Sequence, residues 1–237
     1  MSLEIIAHRG FSSIAPENTL AAFEQAIARG AHSIEFDIQL SADSIPVIFH
    51  DATLDRITAV SGKVRDKNLP QLQSLDAGKW FRDEFSGQKI PTLTAALPIL
   101  KQVDKFLYFD VKPHCEWSNS EVADFVNTLQ EAGITEKCVI TSFNDGFLEQ
   151  VRQIADDLPI GHIVANLEAY QAQLAQAVVK GDRLISTLYS VLLANPALIA
   201  ESRSQGVDIV AWTVDDREDW QKLLDLGITR IVTNCLI

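Results

Sequence analysis

Two short motifs put acidic side chains where they could act together. In Glu35-Phe36-Asp37 alternate residues share one face of an extended strand, so both carboxylates point the same way. Like charges held side by side raise each other's pKa unless a cation sits between them. Asp110-Val111-Lys112 repeats the spacing with a carboxylate and an ammonium. Three carboxylates with no cysteine among them suit a hard cation, Mg2+ or Ca2+, rather than zinc. His8-Arg9-Gly10 adds a proton carrier, a guanidinium that can fork onto a phosphate, and a glycine that lets backbone come close to a ligand. His50-Asp51 adds a second histidine. Each motif alone has a plainer reading: Glu-x-Asp suits a solvated hairpin edge, and a lone histidine at a strand end is usually a satisfied core group. His32, His114 and His162 take that structural reading, and Asn18 reads as a helix N-cap.

These motifs need elements to bring them together. Short β-branched runs alternate with amphipathic stretches along the whole chain. Strands are expected at Glu4–His8, Ser33–Gln39, Pro46–His50, Phe106–Val111, Val139–Ser142, Ile160–Val164, Leu184–Thr187, Asp208–Thr213 and Arg230–Thr233. Helices are expected over Thr19–Arg29, Ser120–Ala132, Leu167–Lys180, Pro196–Gln205 and Arg217–Leu226, each followed by a glycine suited to the C′ position. Such repeated units form either an open doubly wound sheet or a closed barrel. No GxGxxG follows the first strand, and the chain between Gln39 and Pro46 is too short for a parallel crossover. The second and third candidates therefore form a hairpin, leaving eight parallel strands, and an α/β fold of the (β/α)8 TIM-barrel type is expected. A turn centred between Ala42 and Asp43 would set Glu35 opposite His50 and Asp37 opposite Ile48. Reactive groups of such a barrel gather at the C-terminal strand ends, where these motifs fall. Residues 51–90 hold no long helix and read as an insertion over the barrel mouth within one domain spanning residues 1–237.

The balance of 20 basic and 32 acidic residues gives a formal charge of −12, which argues against nucleic acid or an anionic bilayer as a partner. Three widely spaced cysteines, with no CxxC pair, give no disulfide framework and suit a reducing cytoplasm. No apolar run approaches the ~18 residues of a membrane span, so no membrane anchor is expected. No heptad or apolar stripe speaks to oligomeric state.

In order and spacing, HRG, PENT, EFD, FHD, LDRIT, SGKV, LDAGKWF, IPTL, FDVKP, TSF and AWTVDD together resemble the glycerophosphodiester phosphodiesterase family, in its bacterial cytosolic form, from about Ile5 to Thr233. The resemblance implies a (β/α)8 barrel with an insertion after the second strand unit. It implies that Glu35, Asp37 and Asp110 bind a divalent metal, that His8 and His50 are general acid and base, and that Arg9 and Lys112 bind phosphate. It also implies that Phe143 and Trp212 line the pocket, with Trp80 and Phe81 of the insertion helping to close it. The expected substrate is a small anionic glycerophosphodiester, cleaved to sn-glycerol 3-phosphate and an alcohol. Rival readings are lysophospholipase D activity on single-chain lipids and a non-catalytic phosphodiester-binding barrel. Two departures stand out: Asp110 replaces the family's usual glutamate, and Thr233-Asn234-Cys235 replaces Thr-Asp-x-x-Pro.

Overall fold

The computed structural model describes residues 3–236, including every side chain of these but that of Val178. Its strands are β1 (Glu4–His8), β2 (Ser33–Leu40), β3 (Pro46–Ile48), β4 (Leu107–Val111), β5 (Cys138–Ser142), β6 (Ile160–Val164), β7 (Leu184–Leu188), β8 (Asp208–Trp212) and β9 (Arg230–Thr233). Eight of them run parallel in the order β1-β9-β8-β7-β6-β5-β4-β2, and β1 pairs with β2 to close the barrel. The ninth strand, β3, is antiparallel to β2, as the short connection requires.

The hairpin register differs from the sequence expectation by one residue. Ile38 faces Ile48 and Leu40 faces Pro46, so Asp37 lies across from Phe49 rather than Ile48. The cause is a three-residue loop: Ser41 N–H donates to the Ile45 carbonyl, and Ser44 adopts the left-handed conformation at φ 59° that such loops require. One residue of slip would turn His50 to the other face of a continuing strand. Regular pairing instead ends at Ile48, and the chain bends so that His50 still enters the barrel mouth.

Strand residues alternate between two cores. Ile6, Tyr108, Val139, Leu184, Val210 and Val232 pack inside the barrel. Ala7, Ile34, Phe36, Phe109 and Ile140 face outward against α1 (Leu20–Ala28), α3 (Leu93–Leu100), α4 (Asn119–Glu131) and α5 (Asp145–Ile154), α2 being the short Leu69–Gln73 helix of residues 51–90. Phe23, Phe36, Phe109 and Phe125 form an edge-to-face series there, with centroids 4.7–5.9 Å apart. On the opposite side α6 (Leu167–Lys180), α7 (Tyr189–Ala194), α8 (Ala197–Ser204) and α9 (Arg217–Asp225) cover the remaining strands. The barrel floor is closed by Glu4, which accepts from Ser33 Oγ at 2.6 Å and Tyr108 OH at 2.9 Å and pairs with Arg230 at 3.2 Å. No helix among the described residues is long and apolar enough to cross a membrane.

Residues 51–90 build a small apolar cluster around Leu54, Ile57, Val64, Leu72 and Ile90, which packs against Val47 and Phe49 of the hairpin. They are tied to the barrel partly through Glu121. Its Oε2 accepts from Ser118 N and Oγ, closing the capping box of α4, while Oε1 accepts from Ser44 and Arg65. Burial alone would raise this carboxyl, but the hydrogen bonds from Ser44, Ser118 and Arg65 bring it down to about 2. A depressed carboxyl stabilises the fold above its unfolded pKa and loses that contribution as pH falls through the folded value. Glu121→Gln is therefore expected to lower stability by about 1 kcal/mol at neutral pH, allowing for solvent screening. The gap from wild type should close as pH falls toward 2, read from urea midpoints of both proteins.

Candidate active site

The loop after β1 is shaped by two backbone requirements. Gly10 has φ 76°, and a Cβ there would lie 2.6 Å from the Ala22 carbonyl, so glycine lets α1 sit against the strand end. Arg9 adopts φ 57°, an uncommon conformation for a side-chain-bearing residue. Its N–H is held by the Glu35 carbonyl at 2.8 Å and Glu35 Oε2 at 3.0 Å. Asn18, expected to cap α1, is also left-handed at φ 58° and serves the site instead. Thr19 caps the helix, while Asn18 Nδ2 donates to Asp37 Oδ2 at 2.6 Å.

Glu35, Asp37 and Asp110 converge as the side-chain alternation predicts: each offers an oxygen within 4.8 Å of the others, and all three residues are buried. Parallel pairing of β2 with β4 sets Asp37 level with Asp110. Lys112 Nζ lies 3.1 Å from Asp37 Oδ1 and 3.1 Å from Asp110 Oδ2. Arg9 Nε approaches Asp37 Oδ2 at 3.2 Å without hydrogen-bond alignment, and its Nη1 donates to Glu17 at 2.8 Å. Asp110 Oδ1 is buried with no hydrogen-bond partner.

Burial favours the neutral form of every carboxyl here, and the neighbours then separate them. Asp37 resists burial because Lys112 and Arg9 hold it far below the usual carboxylate range. Glu35 is pushed well up by burial and by repulsion from Asp37 and Asp110. Asp110 is raised to about 6 by burial, with Lys112 opposing and Asp37 adding to the shift. Lys112 itself is raised, because the two aspartates outweigh its desolvation. A buried, mutually repelling carboxylate set with an unsatisfied oxygen is one that could hold a metal ion.

The two histidines face this cluster with different backing. His8 Nδ1 lies 2.7 Å from Asn234 Oδ1, and its Nε2 is 3.9 Å from Glu35 Oε2. Burial and the Arg9 charge lower its pKa to about 4. His50 Nδ1 lies 2.7 Å from the Asp51 carboxylate, which also accepts from Arg56 Nε at 2.6 Å. Arg56 reaches on to both oxygens of Glu17 at 2.8 Å, linking residues 51–90 to the loop after β1.

A cavity of about 220 Å³ joins His8, Arg9, Glu35, His50, Asp110 and Lys112. Its floor runs down to Tyr108, and Phe143 and Trp212 wall it, their rings edge to face at 6.2 Å. Trp80 and Phe81 are not among its lining: Trp80 is half-exposed with Arg56 5.9 Å from its ring, and Phe81 packs on Phe85. Two of the remaining histidines are structural in their contacts: His32 Nδ1 accepts from Ile5 N, and His162 lies between Asp145 and Asp182. His114 has no such packing role: it is exposed on the loop after β4, within reach of the charges of Lys112 and Asp37 at the site. Glu17, Arg56, Asp215 and Asn234 carry no role that the sequence alone predicts, although PENT, LDRIT and TVDD contain the first three.

Comparison with known proteins gives one answer. The model of the glycerophosphoryl diester phosphodiesterase family matches residues 8–236. A glycerophosphodiester phosphodiesterase of Caldanaerobacter subterraneus subsp. tengcongensis is 31% identical over 245 residues, covering 99% of this chain and 95% of the relative. An Oleispira antarctica phosphodiesterase, solved with the product sn-glycerol-3-phosphate, superposes with TM-score 0.89 at 30% identity, covering 98% of this chain and 92% of that one. The glycerophosphodiester phosphodiesterase of Agrobacterium tumefaciens superposes with TM-score 0.84 at 28% identity, over 99% of this chain and 96% of that one. A closed barrel carrying this carboxylate cluster, matched by the family model almost from end to end, thus belongs to the glycerophosphoryl diester phosphodiesterase family of hydrolases.

Proposed function

We propose that the protein hydrolyses glycerophosphodiesters to sn-glycerol 3-phosphate and an alcohol, using a divalent cation and two histidines. The observation that carries this reading is the cavity itself: the carboxylate cluster with its unsatisfied Asp110 oxygen, two cationic side chains and two backed histidines meet in about 220 Å³. That volume suits a glycerophosphate core, and Leu54, Ile57, Val64, Leu72 and Ile90 are buried against one another rather than presented to the cavity.

Glu35, Asp37 and Asp110 would hold the cation, Mg2+ or Ca2+, through hard oxygen donors. When bound, it supplies positive charge against one phosphoryl oxygen. Arg9 and Lys112 stabilise the charge that develops on the other oxygens, from positions fixed before substrate arrives. His8 is neutral at physiological pH and takes the proton of the attacking oxygen, which is either water or the neighbouring glycerol hydroxyl. The new P–O bond forms as the bond to the leaving alcohol breaks, and His50 gives that oxygen its proton. Phe143 and Trp212 shield the reacting centre from solvent. Residues 51–90 act as an insertion within a single catalytic domain, joined to the site by the Arg56 bridge to Asp51 and Glu17.

Metal removal tests the reading. Protein stripped with EDTA should release no glycerol 3-phosphate from glycerophosphocholine or glycerophosphoethanolamine, and Mg2+ or Ca2+ should restore release. Calorimetry should show one bound cation, weakened at least ~10-fold in Glu35→Gln. Full turnover in EDTA would refute the metal assignment; cation binding without turnover on any glycerophosphodiester would favour a non-catalytic barrel.

A further inference from the structure

His8 is backed by an amide rather than a carboxylate, and the orientation of that amide is determined by its surroundings. The parallel pairing of β1 with β9 sets Ala7 beside Thr233, which brings the next residue, Asn234, to the His8 ring. Asn234 Nδ2 lies 2.5 Å from Asp215 Oδ2 and must donate to it, since turning the amide over would press two oxygens together. Its Oδ1 then accepts from Ser12 Oγ at 2.6 Å and faces His8 Nδ1 at 2.7 Å. Asp215 is fixed in turn by Asn234 N at 2.8 Å and Thr233 Oγ1 at 2.9 Å, and Ser13 N–H holds the Asn234 carbonyl at 3.0 Å. An amide oxygen only accepts, so the hydrogen on the His8 ring sits on Nδ1 and the lone pair sits on Nε2, the atom turned toward Glu35.

We infer that Asn234, oriented by Asp215 and Ser12, is a positioning residue that locks His8 in the Nδ1–H tautomer and keeps Nε2 free to accept a proton. A neutral histidine left to itself prefers hydrogen on Nε2, which would aim a donor at the attacking oxygen and block its deprotonation. The Asp215–Asn234 pair corrects that preference. The inference rests on the reading of His8 as the base, but the tautomer can be measured independently of turnover.

The test compares wild type with Asn234→Leu, Asn234→Asp and the exchanged pair Asn234→Asp/Asp215→Asn. Nitrogen-15 NMR of labelled histidine at neutral pH should show His8 with a pyrrole-type Nδ1 and a pyridine-type Nε2. Asn234→Leu, which removes the acceptor, should shift the ring toward the Nε2–H form and lower kcat by ~10²-fold with KM changed less than ~3-fold. Asn234→Asp alone sets two carboxylates together and should also lose activity. The exchanged pair restores one donor and one acceptor, and should recover both the tautomer and at least half of the lost activity on a logarithmic scale. A wild-type His8 protonated on Nε2 would overturn the inference, as would an Asn234→Leu variant whose tautomer or kcat is unchanged, or an exchanged pair that recovers neither. Full turnover in His8→Ala would instead overturn the catalytic reading and leave the tautomer result standing.

Discussion

His50→Ala is expected to lower kcat on glycerophosphocholine by ~10³-fold, and His8→Ala by at least as much, while both proteins keep the wild-type circular dichroism and metal affinity. Neither ring is part of the barrel core, and neither is a ligand of the carboxylate cluster, so the fold has no reason to fail. The two losses should differ in kind. An acid is needed only while the leaving alkoxide is a poor one. With a glycerophosphodiester of p-nitrophenol the leaving oxygen departs as a stable anion. The His50→Ala deficit should then shrink to below ~10-fold, while the His8→Ala deficit stays large because the attacking oxygen still has a proton to lose. Deficits that move together, or a rescue of His8→Ala in place of His50→Ala, would reverse or remove the assignment. The asymmetry has its origin in the backing groups: an amide from the end of β9 behind His8 and a carboxylate behind His50.

Lys112→Met is expected to cost ~10²–10³ in kcat at saturating cation, the effect of deleting one preorganised charge from a water-poor site. Its consequence for stability is as informative. The Lys112 side chain is 7% exposed and bridges Asp37 and Asp110, so its removal leaves two buried carboxylates short of a counterion. Breaking one side of such an arrangement costs about 3–5 kcal/mol when nothing replaces the charge. A cation bound by the same carboxylates would replace it. Metal-free Lys112→Met should therefore melt well below wild type, and Mg2+ or Ca2+ should raise its Tm by more than it raises that of wild type. Equal stabilisation of the two proteins would mean that Lys112 and the cation do not share the same carboxylates.

Much of this architecture is legible in the chain because strand alternation and strand ends carry it. Glu35 and Asp37 alternate along β2, and Asp110 and Lys112 alternate along β4 and the residue just past its end, so period-two geometry alone directs them inward. The closed barrel follows from repeated strand–helix units and from a connection too short for a crossover. Less legible was the hairpin register, since a loop of three rather than two residues depends on Ser44 adopting a left-handed conformation that nothing in SADSI advertises. α3 escapes a periodicity reading because Pro98 lies inside it. Asn18 has the composition of a cap, yet Thr19 takes that role because Asn18 is drawn to a buried carboxylate. The supporting groups are hidden for a different reason. Asn234 lies 226 residues from His8, and Arg56 lies 39 from Glu17, so their contacts exist only once the barrel closes.

The central claim is that this barrel cleaves the phosphodiester bond on the alcohol side at the His8/His50 site. Phosphorus-31 NMR of glycerophosphocholine incubated with the metal-loaded protein tests it most directly. The account predicts that the diester resonance is replaced by that of sn-glycerol 3-phosphate, directly or by way of a transient cyclic phosphate, and that His50→Ala leaves the diester intact over the same time. Appearance of choline phosphate, no conversion by the metal-loaded wild type, or equal conversion by His50→Ala would contradict it.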